Sequence, residues 1–236
     1  MSHPAGPRIG VLGDVHGSLI ALEAGHAYLR GIGVDRIVCT GDVAAFGPDP
    51  DGCVAFLKAH GIATVAGNED AAMLRPIVTD PDAPPRLRQI QEIMAWSQRQ
   101  LSPPALAWLA ALPGRLELDG GLVCVHAAPD DDTRIVAEDD PKPFPAGARL
   151  VCAGHLHRPF VAVEDERTWA NAGSIGRPTD GDPRGALLVA TRGAGRWEVE
   201  VVRLELPLGA ICDRIAAAAM PHAARLCQTQ LAASWW

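Results

Sequence analysis

Seven side chains able to ligate a metal stand just beyond apolar runs. Asp14 and His16 end RIGVLGDVH, Asp42 ends RIVCTGD, Asn68 ends IATVAGN, His126 ends LVCVH, and His155 and His157 end RLVCAGHLH. Oxygen ligands mixed with imidazoles suit manganese, iron, zinc, cobalt or nickel better than calcium or magnesium. No cysteine stands among them, which argues against a structural zinc site. One catalytic ion with an open position needs fewer ligands than this. The set suits two divalent transition-metal ions sharing a bridging carboxylate. Two metals about 3.5–4 Å apart are the usual clamp on phosphoryl oxygens in hydrolysis.

Each fragment alone has a plainer reading. An Asp at a strand end commonly caps or turns the chain, a lone His126 would be a satisfied core histidine, and Gly67-Asn68 is ordinary turn composition. His155 and His157 alternate, so on a continuing strand they would face opposite sides. They share a site only if the strand has already ended. The conjunction carries the weight, because four of the eight histidines fall in these positions, each after an apolar run. In open α/β sheets, ligands gather beyond the carboxyl ends of the strands, and a preceding Gly lets the backbone come close.

The elements that would place these residues follow from periodicity. Apolar runs at 8–14, 36–42 and 62–68 are separated by helical patterns over 18–33 and 50–60. Leu19, Leu22, His26 and Leu29 share one helical face, with Ser18 as N-cap; Asp49 and Pro50 read as the cap and first residue of the next helix. Such a β-α-β-α-β series implies parallel strands with helical crossovers. A Pro-rich linker and a helical pair form an insertion at about 76–114, with Ser102-Pro103 starting the second helix. Strands return as a hairpin around Asp119-Gly120-Gly121, then at 149–155, 168–173, 186–191 and 196–206. Short late turns predict antiparallel pairing. The change of phase from Trp197, Val199 and Val201 to Val202, Leu204 and Leu206 predicts a bulge. Two short helices divided at Pro221 make a C-terminal extension over about 207–236. The expectation is one domain over 1–236, an α/β fold of two packed mixed sheets with flanking helices and a catalytic core at about 8–205.

The 236-residue chain is 48% hydrophobic and 21% charged, with a net charge of −7. That composition buries a sizeable core, and the acidic balance disfavours non-specific binding to nucleic acid or anionic membrane. No apolar run reaches bilayer length, and the opening MSHPAGPRIG lacks the basic and apolar segments of an export signal, so a cytoplasmic protein is expected. The six cysteines are irregularly spaced and expected to stay reduced. The acidic run PDDDTRIVAEDDP at 129–141 follows a ligand strand and would repel a long polyanion, which favours a small substrate. Trp235 and Trp236 read as a packed or frayed tail, with a homo-oligomer interface as the alternative.

Taken in order, GDVHG (13–17), GDVAAFGPDP (41–50), GNED (67–70), VHAAP (125–129), GHLH (154–157) and NAGSIGRPTDGDPR (171–184) resemble the motifs of the calcineurin-like metallophosphoesterases. The likeness is strongest to the small bacterial and archaeal phosphodiesterase-like branch, over about residues 8–205. It implies a four-layered α-β-β-α sandwich. It also implies that Asp14, His16 and His157 bind one metal, that Asn68, His126 and His155 bind the other, and that Asp42 bridges them, with manganese the first choice of ion. A hydroxide bridging the ions would then attack phosphorus in a small phosphate ester, first of all a diester. Phosphomonoester hydrolysis, protein phosphatase activity, and a metal-binding scaffold of the same fold with weak or no catalysis are the alternatives. Arg158 and Arg177 adjoin the motifs as candidate substrate contacts. One position departs from the pattern. The family usually carries, after Gly-Asn, a His that assists near the leaving group; here that place holds Glu69. A carboxylate is mostly ionised near pH 7, so Glu69 is expected to give little acid assistance.

Overall fold

The computed structural model describes residues 6–235. Strands Arg8–Leu12 (β1), Arg36–Cys39 (β2) and Ala63–Thr64 (β3) pair in parallel, joined by helices Leu19–Gly31 (α1) and Pro50–Ala59 (α2). The β-α-β-α-β series is therefore present. Short helix Asn68–Ala72 (α3) follows β3, and Pro85–Gln100 (α4) and Pro103–Ala110 (α5) form a helical pair. Arg115–Leu118 (β4) and Leu122–Val125 (β5) make the hairpin. Leu150–Ala153 (β6), Phe160–Glu164 (β7), Arg167–Asn171 (β8), Gly185–Arg192 (β9) and Trp197–Leu204 (β10) come next, and Leu208–Ala217 (α6) and Ala223–Ala232 (α7) end the chain.

Two five-stranded mixed sheets result, ordered β10-β9-β1-β2-β3 and β4-β5-β6-β8-β7. In the second sheet β5, β6 and β8 are parallel, and β4 and β7 flank them antiparallel. Strand alternation decides which core each residue joins. Val11 of β1, Val38 of β2 and Leu188 of β9 meet Cys124 of β5, Cys152 of β6 and Ala170 of β8 in a dry layer between the sheets. Their neighbours Leu12, Cys39, Leu187 and Val189 turn outward and are covered by α1, α2, α5, α6 and α7. On the outer face of the second sheet, Val123, Val125, Val151 and Trp169 are covered by Val136, Phe144 and Ala148 of the connection before β6. That cover is irregular, because Pro141, Pro143 and Pro145 deny it a helix.

Several local expectations change. The change of phase in β10 is not a bulge, since its register with β9 runs unbroken from Trp197↔Arg192 to Leu204↔Gly185. Both faces of the strand are in use: Trp197, Val199 and Val201 serve the layer between the sheets, while Val202 and Leu204 serve the helical side. Strand β7 was not foreseen, and two of the late pairings, β5 with β6 and β6 with β8, are parallel rather than antiparallel. Asp49 sits at the N-cap of α2 but makes no capping bond; Arg214 of α6 takes its carboxylate instead, at 2.9 Å. Ser18 is likewise at the N-cap of α1 without a capping bond, whereas Ser102 does cap α5, through Ala105 N–H at 3.3 Å. All six cysteines are free, four of them buried. Among the described residues no helix is long and apolar enough to cross a membrane.

Candidate metal centre

The seven candidate ligands follow the C-terminal ends of β1, β2, β3, β5 and β6. Five of them, Asp14, His16, Asp42, His155 and His157, hold positive φ between 47° and 66°. Left-handed backbone is uncommon outside Gly, though Asp and His tolerate it better than most, and each instance costs on the order of 1–3 kcal/mol. Its use here is geometric. Strand β6 stops at Ala153, and the turns at His155 and His157 cancel the alternation that would have parted them. Close approach also needs missing Cβ atoms: one on Gly67 would lie 2.1 Å from Asp42 Oδ1, and one on Gly154 would lie 2.4 Å from Asp14 Oδ2.

The side chains gather in groups whose ligand atoms lie within 4.8 Å of one another: Asp14 with His16 and His157, Asp42 with His126 and His155, and His16 with Asp42 and Glu69. In the first group Asp14 Oδ1 is 3.2 Å from His157 Nε2 and 3.9 Å from His16 Nε2. In the second, His126 Nε2 is 3.3 Å from Asp42 Oδ2 and 2.9 Å from Asn68 Oδ1. Backbone bonds hold the carboxylates. Asp14 accepts the His155 N–H at 3.0 and 3.1 Å, and Asp42 Oδ1 accepts the Glu69 N–H at 2.9 Å.

The far ring nitrogens set the tautomers. His126 Nδ1 lies 2.8 Å from the Thr40 carbonyl and His157 Nδ1 lies 2.7 Å from the Arg177 carbonyl, so both donate outward and present Nε2 lone pairs inward when neutral. His16 Nε2 faces His157 Nε2 at 2.8 Å. Two lone pairs at that distance repel unless a proton or a cation lies between them. The charges tell the same story. Burial opposes it, but the Asp42 carboxylate pushes His126 up to about 10. Burial likewise works against His16, yet Glu69, Asp42 and Asp14 raise it above its ordinary value. Asp42, though buried, is held well below the carboxylate range by His126. Burial lowers His157 more than Asp14 raises it. A buried, inward-turned set of carboxylates and imidazoles, in which carboxylates draw positive charge onto His126 and His16, fits divalent cations in place of those protons.

A family model described as the calcineurin-like phosphoesterase superfamily domain matches residues 8–194. The chain belongs to that superfamily. A metallophosphoesterase from Sphaerobacter thermophilus superimposes with a TM-score of 0.78 at 28% identity, over 97% of this chain and 99% of that one. A hypothetical protein from Pyrococcus horikoshii OT3 gives 0.77 at 18% identity, over 94% and 97%, and shares the fold. An uncharacterized protein of Methanocaldococcus jannaschii is 25% identical over 235 residues, 91% of this chain and 94% of its own. The two mixed sheets with their helices are thus the metallophosphoesterase fold, as the ordered motifs implied.

The remaining expected residues divide. Arg177 is 6% exposed, with its guanidinium carbon 4.4 Å from the Phe46 ring centroid and 5.6 Å from that of Trp235. Among the described residues its side chain makes no hydrogen bond or ion pair, and burial lowers its pKa despite the Glu69 carboxylate. Arg158 instead points into solvent, with no polar partner among the described residues. Glu69 turns Oε2 toward His16 Nδ1, 3.2 Å away. An open groove beside His126 runs between Pro113–Arg115 and the acidic Asp130–Asp132 turn.

Sequence reasoning missed two contributors. Asp70 is 1% exposed and accepts three backbone N–H groups, from Val43 at 2.8 Å, Ala44 at 3.2 Å and Gly67 at 3.1 Å. It thereby ties the turn after Asp42 to the turn before Asn68. Its signal was a second carboxylate directly after the Gly67-Asn68 turn. Trp235 stacks on His157, with centroids 5.0 Å apart and planes at 27°, and the Gly181 N–H anchors its tail to the Ala233 carbonyl at 2.9 Å. The tail is packed rather than frayed there; Trp236 lies outside the described residues.

Proposed function

We propose that this protein is a dinuclear-metal phosphodiesterase acting on small phosphate esters, with the catalytic core and both helical additions working as one domain. Asp14, His16 and His157 would hold one ion, Asn68, His126 and His155 would hold the other, and Asp42 would be shared between them. One observation carries this reading. Asp42 belongs to two ligand groups at once, one with His126 and His155 and one with His16, which is the placement a bridging carboxylate requires. Metal ions held there, manganese first, would neutralise phosphoryl oxygens and make a nucleophile available from water near neutral pH.

The chain's own groups supply the rest. Arg177, desolvated between two rings and without a hydrogen-bond or ion-pair partner among the described residues, is a ready donor for a non-bridging phosphoryl oxygen. Asp130, Asp131 and Asp132 at the groove repel long polyanions and favour a small ester. Glu69 turns its carboxylate to His16, so little help to a leaving group is expected from it and rates should depend strongly on leaving-group acidity. The test is metal analysis of the purified chain, then turnover of a bis-aryl diester, an aryl monoester and an alkyl diester with added manganese, cobalt, nickel, zinc and magnesium. Two ions per chain and fastest turnover of the aryl diester support the reading. Fewer than two ions at saturation, or faster monoester turnover, overturns it.

A further inference from the structure

The outer nitrogens of the four imidazoles are not treated alike. His126 Nδ1 meets the Thr40 carbonyl at 2.8 Å, His157 Nδ1 the Arg177 carbonyl at 2.7 Å, and His155 Nε2 the Thr133 carbonyl at 3.1 Å. Each of these rings is braced by neutral main chain. His16 Nδ1 meets no carbonyl. Its neighbour is Glu69 Oε2, at 3.2 Å. The contact is at ion-pair distance but lies off the hydrogen-bond line, and both atoms are buried with no hydrogen-bond partner in the structure. A donor and an acceptor, both desolvated, stand together with no alternative among the described residues. Leaving a buried donor or acceptor unmet is costly, and a bond between these two would remove that cost.

We propose that Glu69 is a positioning residue for His16, whose Nδ1 proton it receives so that Nε2 is presented to the ion shared with Asp14 and His157. Carboxylates behind metal-bound imidazoles set ring orientation and raise ligand basicity, and removing such a partner typically costs 10–100-fold in metal affinity. Glu69 is well set for the work. Its own N–H is fixed on Asp42 Oδ1 at 2.9 Å, and its side chain is only 20% exposed. The residue that displaces the family's assisting His therefore serves the metal site instead of the leaving group. Arg177 lies near enough to feel the same charge, so a simple counter-ion role must be told apart.

The inference rests on the metal-centre reading, and the experiment separates the two. The chelated wild type, E69A and E69Q are titrated with cobalt(II), followed by visible absorption and by metal content after gel filtration, with circular dichroism confirming the fold. Wild type should take two ions. E69A should keep one at wild-type affinity and bind the other about 10–100-fold more weakly. E69Q keeps an acceptor oxygen without the charge and should recover most of that loss. Two equal wild-type affinities in E69A overturn the inference while leaving the metal centre intact. Equal losses in E69A and E69Q point to charge alone and also overturn it. E69Q with both ions bound but little turnover would make Glu69 an acid or substrate ligand, again against it. A wild type that takes no ion fails the parent reading instead.

Discussion

Replacing Asp70 with Ala tests whether one buried carboxylate holds two ligand turns together. The substitution strips the acceptor from the N–H groups of Val43, Ala44 and Gly67. A buried unsatisfied donor costs about 1–3 kcal/mol, and water entering the vacated space recovers part of it. With three donors stranded, a loss of about 6 kcal/mol is expected at low pH, where Asp70 is neutral in both the folded and the unfolded wild type. Charge works the other way. Burial, reinforced by Asp42, pushes Asp70 up to about 7 from an ordinary 3.8. The ionised group thus carries a penalty of about 4 kcal/mol. Because its folded value is raised, this contribution is complete below the unfolded value near 3.8, falls as pH rises through 7, and stays lost above it. In metal-free protein, Asp70→Ala should therefore cost about 4 kcal/mol near pH 5.5 but only about 2 kcal/mol near pH 8. Asp70→Asn, which keeps an oxygen for Val43 and Ala44, should lose less than Ala at both. Urea unfolding in the presence of a chelator measures each value. A loss below about 1 kcal/mol at both pH values, or one that grows with pH, would refute the idea that Asp70 fastens these turns.

Asp42→Ala should abolish phosphoesterase turnover and lower bound metal while unfolding stays cooperative; undiminished turnover by chelated wild type would contradict it. Metal uptake should release protons near pH 7, because His126, raised to about 10 against its burial by Asp42, must give up its proton to become a ligand. Apparent affinity should then climb from about pH 6 to about pH 8, and calorimetry in buffers of different ionisation enthalpy should register the release; buffer-independent heats would count against it. The same proton steadies the metal-free fold, fully below the ordinary value of 6.5 and progressively less toward 10. Alkylation without reductant should label all six cysteines once the chain is unfolded, since all are free; a stoichiometric bridge in protein isolated under non-oxidising conditions would show otherwise.

Much of the site could be read in advance because its signals are local. Gly-Asp, Gly-Asn and Gly-His after apolar runs announce a strand end and a polar residue at once, and parallel topology then does the gathering. The pairing of His155 with His157 was legible only as a condition. Left-handed backbone at both residues satisfies it, and φ is not written in residue type. Misreadings arose where partners come from afar. Asp49 looks like a cap until Arg214, far along the chain, takes its carboxylate. The β10 phase change looks like a bulge until helices are known to cover its second face. Asp70 and Trp235 owe their places to the turn after Asp42 and to the ring of His157, and no spacing rule connects them.

Two of the three ligand groups draw on both sheets. Asp14 and His16 leave the first sheet while His157 leaves the second, and Asp42 belongs to the first while His126 and His155 belong to the second. The centre is therefore a gauge of how the two sheets are aligned. A methylene added or removed in the dry layer between them, at Val38, Cys152 or Leu188, would slide one sheet across the other without touching a ligand. Such a change would register first as altered spacing between the two halves of the centre, before it registered as lost stability. Seen this way, the packing of that layer is a calibration of the chemistry, and neutral-looking core substitutions in this protein are best judged by metal affinity rather than by melting temperature.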